Sequence, residues 1–228
     1  MDESTLILAL DASTDQAGVA LAKGPALLEE VLWRPGRNQT TELLPAIDAL
    51  LKRQGLAPRE LGALAVARGP GSFTGLRVAL ATAKGLALAL ALPITAVGTL
   101  EVEAFAYRNA GRPLCPVLDA GRGDLYIALF GSEQGSWRPL WEEQLAAPSE
   151  VAARVPDGTL FCGEVPEIAR EALAAAGRGT ALAAVKPRSA GVLAALGWQR
   201  LRRGETADAA TLQPLYIRRP AVTERRKP

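Results

Sequence analysis

Chemistry in this chain can begin at two places. Asp11 closes the apolar run LILALD and is followed by Ser13, Thr14 and Asp15, a group of short oxygen-bearing side chains at a strand end. In a fold that handles nucleotides, such a group would offer a carboxylate for a divalent cation and hydroxyls for phosphate; the same residues also build ordinary turns. The second place is the loop RGPGSFTG, residues 68–75. Gly69, Gly71 and Gly75 permit positive φ there, and the turn ends at a helix N-terminus, so free N–H groups and the helix dipole would favour an anion. It is not a Walker loop, because Gly75 leads into Leu76 and Arg77 where Lys and Ser or Thr are required. Taken alone, it is tight-turn chemistry at least as readily as a phosphate site. Asp119 carries the same ambiguity as Asp11, and the RGD at Arg122 to Asp124 reads as a hairpin turn.

What is missing narrows the chemistry further. The 228 residues contain no histidine, which removes the usual general base, the Ser-His and Cys-His nucleophile systems and the commonest zinc ligand. Cys115 and Cys162 lie among apolar neighbours without CxxC spacing, as buried thiols of a reducing compartment would, so the expected location is the cytoplasm. Residues 1–11, MDESTLILALD, lack a basic start and do not read as a signal peptide, which makes NQT at Asn38 an idle match to a glycosylation site. Net charge is +2, too small to drive the whole molecule onto nucleic acid, although the segment from Arg218 onward carries five Lys or Arg. That tail reads as a solvated end.

These residues need elements to hold them. Residues 5–11, 16–23 and 26–33 read as three short strands. Residues 40–54 place Leu43, Leu44, Ile47, Leu50 and Leu51 at helical spacing, with Thr40 or Thr41 as N-cap and Pro45 near the first turn. A strand at 62–67, a helix from about 75 to 92, a strand at 93–98 and a helix at 99–110 follow, giving the order βββαβαβα. That is the order of the ribonuclease-H-like unit, which actin-like and sugar-kinase folds carry twice. A second copy is visible: a shift of 108 positions sets Leu10-Asp11-Ala12 on Leu118-Asp119-Ala120 without a gap. The expected fold is therefore α/β of the ASKHA (actin-like) class, with lobes over residues 1–103 and 104–228. The second lobe is reduced, with strands near 124–131 and 137–145 and helices near 149–154, 165–176 and 189–203.

The helix after the glycine loop is unusual. Gly75, Ala79, Ala83, Ala87 and Ala91 form a smooth stripe at i, i+4 spacing, and leucines occupy several other angles, so Arg77, Thr82 and Lys84 are its main polar residues. Arg77, Lys84 and Pro93 argue against a membrane span, which needs about 20 apolar residues. Either the 40–54 helix covers this surface or another chain does. Because both helices carry apolar residues on more than one face, a joint apolar patch that marks a partner site is the favoured reading.

Taken in order, the segments ALDASTDQAGVAL, ELLPAIDALL, RGPGSFTGLRVALATAKGLALAL and LDAGRGDLY resemble the TsaB (YeaZ) family, well over residues 5 to about 130 and more loosely up to PLYIRR at 214–219. The resemblance implies a chain similar to TsaD, the catalytic subunit that transfers threonylcarbamoyl to adenosine 37 of tRNAs reading ANN codons. TsaD-type proteins carry a His-Leu-Glu-Gly-His metal motif after the strand at 94–98, and the matching positions here are Thr99-Leu100-Glu101-Val102-Glu103. With Thr99 and Glu103 in place of both histidines, no imidazole pair can hold a metal, so no catalytic or metal-binding residue is expected.

What the resemblance implies instead is a non-catalytic subunit that pairs with TsaD, or with a second copy of itself when alone. It would work with the small ATPase TsaE and meet tRNA only through the complex. The contact residues expected on this basis are Leu43, Leu44, Ile47 and Leu51 on the first helix and Arg77, Leu80, Ala83, Lys84 and Leu88 on the second, with Ala83 in the middle of an outward stripe. No cofactor is required, though weak ATP or ADP binding at Asp11, Ser13, Thr14, Gly69, Gly71 and Ser72 is allowed. Two rival readings are a small phosphotransferase using Asp11 and the Ser13-Thr14 turn with Mg-ATP, and the peptidase label once given to the family. The first lacks an adenosine-binding Gly pair after residue 130, and the second lacks histidine, a nucleophile context and a metal motif.

Overall fold

In the computed structural model, which describes residues 2–35, 39–133 and 136–218, strands β1 (Leu6–Asp11), β2 (Ala17–Lys23) and β3 (Ala26–Trp33) form a meander. Helix α1 (Gln39–Arg53), β4 (Ala63–Ala67), α2 (Phe73–Leu90), β5 (Ile94–Val97) and α3 (Thr99–Phe105) follow. The second half runs β6 (Leu114–Asp119), β7 (Leu125–Glu133), β8 (Ser136–Ala146), α4 (Pro148–Arg154), β9 (Leu160–Gly163), α5 (Glu167–Ala174), β10 (Ala181–Leu182) and α6 (Ala190–Arg202). Asn38 and the basic tail beyond Arg218 lie outside the described residues.

The strands make two five-stranded sheets with orders β3-β2-β1-β4-β5 and β8-β7-β6-β9-β10. These are the same topology, and the shift of 108 positions carries Leu6–Asp11 onto Leu114–Asp119. In each sheet the central strand pairs antiparallel with the second strand of its meander and parallel with the strand after the first helix. The repeat therefore extends to strand pairing. β10, with two residues, is the shortest strand, standing where the first sheet has β5.

Alternation along the strands sorts the layers. On one face of the first sheet Leu8, Leu10, Val19, Leu21, Leu64 and Val66 meet Leu43, Ile47 and Leu50 of α1 and Leu76, Leu80 and Ala83 of α2. On the other face the sheet presents Ala9, Ala20, Ala22, Ala63, Ala65 and Ala67 to Leu193, Ala194 and Trp198 of α6. A face of alanines lets a helix lie close, and Gly197 makes it closer: a Cβ there would stand 2.5 Å from the Ala65 Cβ. Glu30 of β3 anchors this helix, its Oε1 accepting from the Ser189 hydroxyl (2.8 Å) and the Gly191 N–H (2.9 Å).

The division into residues 1–103 and 104–228 does not match this packing. α6 comes from the second stretch yet lies on the first sheet, while α3, which the boundary cuts, packs its Leu100 and Ala104 against Leu114, Leu118 and Phe130 of the second. The lobes exchange a helix, which sequence order alone conceals. α1 also departs from expectation: it starts at Gln39, so Thr40 and Thr41 lie inside the helix rather than capping it, and Pro45 falls in the second turn.

Candidate functional site between the lobes

Asp11 is the last residue of β1, and its carboxylate turns back into the hairpin that follows. Oδ1 accepts from the Ser13 N–H (2.9 Å) and the Ser13 hydroxyl (2.6 Å). The repeat keeps this turn, with Asp119 Oδ1 accepting from the Gly121 N–H at 2.7 Å. The 122–124 segment is the β6–β7 turn, as read from the sequence, with Arg122 at φ 60° and Gly123 at φ 84°.

The other oxygen of Asp11 faces a guanidinium. Arg188, in the loop before α6, places Nε 2.7 Å from Asp11 Oδ2 and Nη1 3.3 Å from both Glu103 Oε1 and Glu164 Oε1. Its Nη2 donates to the Thr14 hydroxyl (2.9 Å) and the Gln16 carbonyl (3.1 Å). The side chains of Arg188 and Asp11 are 1% and 4% exposed. Burial opposes the charge on Arg188, but Asp11 and Glu103 outweigh it and raise the pKa. Burial pushes Glu103 up to about 7, with Arg188 pulling the other way.

This geometry tests the metal expectation directly. Glu103 stands at one histidine position of the motif and is spent on Arg188, while the Thr99 hydroxyl, at the other, is buried without a hydrogen-bond partner among the described residues. A cationic guanidinium lies where a second cation would have to enter. The residues present do not fit a metal ion.

The same geometry bears on the anion expectation. The Ser72 hydroxyl accepts from the Gly75 N–H (3.3 Å) and caps α2, and the Gly69 carbonyl accepts from the Thr99 N–H (2.8 Å). Gly71, at φ 155°, lets the loop approach the hairpin so closely that a Cβ would overlap the Ser13 carbonyl oxygen. The Ser13 carbonyl accepts from the Ser72 N–H at 2.6 Å. A cleft cavity of about 300 Å³ remains, lined by Ser13, Thr14, Gly71 and Ser72 but also by Asp15, Asp119 and Glu164. Three carboxyl groups with no lysine or arginine in the lining repel phosphate.

The helices give a clear division of the nine expected contact residues. Leu43, Ile47, Leu51, Leu80 and Ala83 are buried in the lobe's own core. The stripe of Gly75, Ala79, Ala83 and Ala87 is therefore the inner face of α2, correcting the outward reading of Ala83. Lys84 is also engaged, donating to the carbonyls of Ala210 (3.2 Å) and Leu212 (3.0 Å) in the segment that straps back over the lobe. Left outside are Leu44 (58% exposed), Leu88 (66% exposed) and Arg77, whose guanidinium lies over the Phe73 ring. A second small row, Ala81, Gly85 and Ala89, continues from Arg77 along the exposed side, where a Cβ at Gly85 would meet nothing. By length and composition alone α2 could cross a bilayer; here its inner face packs on the first sheet.

Sequence reading overlooked Arg188, Glu164 and Gln16. Arg188 lies between Pro187 and the cap residue Ser189, a setting any surface loop shares, and nothing local marks it as the centre of a buried network.

The family model described as TsaD, tRNA N6-adenosine threonylcarbamoyltransferase, matches residues 35–225. A Bacillus subtilis (strain 168) protein named tRNA threonylcarbamoyladenosine biosynthesis protein TsaB is 32% identical over 219 residues, 93% of each chain. The solved structure of YeaZ from Pseudomonas aeruginosa has a TM-score of 0.75 at 29% identity, covering 93% of this chain and 99% of that one. ROK hexokinase from Thermus thermophilus gives 0.51 at 13% identity over 87% of this chain and all of that one, a likeness of the two-lobed ASKHA fold alone.

Proposed function

The chain belongs to the TsaB (YeaZ) family of tRNA threonylcarbamoyladenosine biosynthesis proteins, and on that premise we propose that it is a non-catalytic partner subunit rather than the transferase. The observation that carries this reading is Arg188, whose guanidinium fills the space between Asp11 and Glu103 that a cation-dependent reaction would need. The phosphotransferase reading loses its main residue for the same reason, since Asp11 is neutralised from within.

The proposed role is to dock a TsaD-type catalytic subunit, and a second copy when that subunit is absent, through the exposed sides of α1 and α2. Leu44, Arg77, Ala81, Gly85 and Leu88 would make the contact, with the five buried residues setting the spacing of the helices beneath. Small residues let a partner helix approach closely, and Leu44 and Leu88 supply apolar area at the margins. In this role the chain supports modification of adenosine 37 in tRNAs reading ANN codons, together with a TsaE-type ATPase, in the cytoplasm. It meets tRNA through the complex.

The test is complementation of a bacterium depleted of its own TsaB, with threonylcarbamoyladenosine measured in digested tRNA. Expression of this chain restores the nucleoside; a strain that stays unmodified while the chain accumulates in folded form refutes the proposal.

A further inference from the structure

We infer that Glu164 is the releasable end of a latch between the two sheets, and that this latch sets the N-terminus of α2, so that opening of the cleft weakens docking of a TsaD-type subunit. The docking half of this inference rests on the proposed function above; the latch itself does not.

Glu164 follows β9 of the second sheet, and its Oε1 accepts from the Thr14 hydroxyl (2.8 Å) as well as lying 3.3 Å from Arg188 Nη1. Both partners belong to the assembly around the first sheet. Arg188 is sealed in, whereas the Glu164 side chain is 46% exposed, so the carboxylate is the end that water can take. Glu164 lines two cavities, of about 300 and 390 Å³, so there is space beside it for the carboxylate to turn away.

Its effect reaches α2 through short, ordered contacts. Thr14 and Arg188 hold the 11–16 hairpin, in which Asp11 fixes Ser13 through both its N–H and its hydroxyl. The Ser13 carbonyl takes the Ser72 N–H at 2.6 Å, and Ser72 caps α2 through the Gly75 N–H. A hairpin released from the second sheet loosens the cap of the helix that carries Arg77, Ala81 and Leu88. Such coupling needs an element with two arrangements that both sites bias; here it is the hairpin, with Thr14 bonded to both Glu164 and Arg188 or to Arg188 alone.

The experiment is hydrogen exchange by mass spectrometry on the full chain as wild type, Glu164→Gln and Glu164→Ala, followed by titration of each with a TsaD-type subunit. In Glu164→Ala, amides of the hairpin and of residues 72–77 exchange about tenfold faster, as loss of a charge-assisted hydrogen bond would give, while those of α5 do not change. Glu164→Gln, which still accepts from Thr14, falls between. Affinity for the subunit drops in the same order. Unchanged exchange overturns the latch. Faster exchange with unchanged affinity overturns its link to docking and leaves the docking reading standing. Failure of the wild type to bind the subunit removes the docking reading and the docking half of this inference with it, while the exchange data alone decide the latch. If Glu164→Ala loosens the whole chain, Glu164→Gln decides: local acceleration at the hairpin and α2 cap supports the latch, and uniform acceleration overturns it.

Discussion

Arg188 Nε and Asp11 Oδ2 lie 2.7 Å apart although 177 positions separate them in the chain, and both side chains are buried. Removing one member of such a pair leaves the other charged and dry. Arg188→Met should therefore cost about 3–5 kcal/mol in denaturant unfolding. Arg188→Lys should recover only part of that loss, because one ammonium cannot reach Asp11, Glu103 and Thr14 with the fork of a guanidinium.

Substitutions on the two sides of α2 should separate folding from association. Leu88→Asp and Leu44→Asp change exposed positions and should shift stability by no more than about 0.5 kcal/mol while abolishing association with partner or self. Ala83→Arg places a cation in the core and should unfold the chain. Circular dichroism melts paired with size-exclusion chromatography distinguish the two patterns.

Glu103 gives a pH dependence with a definite sign. Its carboxyl is raised from 4.5 to about 7 in the folded chain by burial, so between these values the native state holds a proton that the unfolded state has released. Stability attributable to this group is present below the unfolded value and lost as pH rises towards 7, by about 1–3 kcal/mol. Unfolding curves at pH 5 and pH 7 should differ more for the wild type than for Glu103→Gln.

The contact between α6 and the first sheet can be probed at Gly197. Gly197→Val should cost about 1–3 kcal/mol, because the added Cβ falls on Ala65. Ala65→Gly in the same chain should return part of the loss, which a double-mutant cycle in urea would measure.

Most of the fold was legible because its signals are local. The strands of the first sheet alternate between leucine on one face and alanine on the other, and the glycine loop and the Leu-Asp-Ala repeat both stand in continuous sequence. Which lobe a helix joins is not a local property: α6 reads as part of the second half, and only the alanine face of the first sheet explains why it crosses back. The same limit applied to the site. Asp11 was visible as a strand-end carboxylate, but its partner comes from the far end of the chain, and a phosphate-binding role and an internal ion pair look alike from residues 11–15. On α2, apolar residues at many angles did indicate an exposed apolar side. Choosing the Ala83 row as that side failed, because two small-residue rows run along the helix and only packing tells them apart.

The most direct test is analytical ultracentrifugation of the purified chain, alone and mixed with a TsaD-type subunit, across a concentration series. The account predicts a self-associated species that gives way to a one-to-one complex, with both species lost in Leu88→Asp. A wild-type chain that sediments as a monomer at every concentration and ignores the catalytic subunit would contradict it.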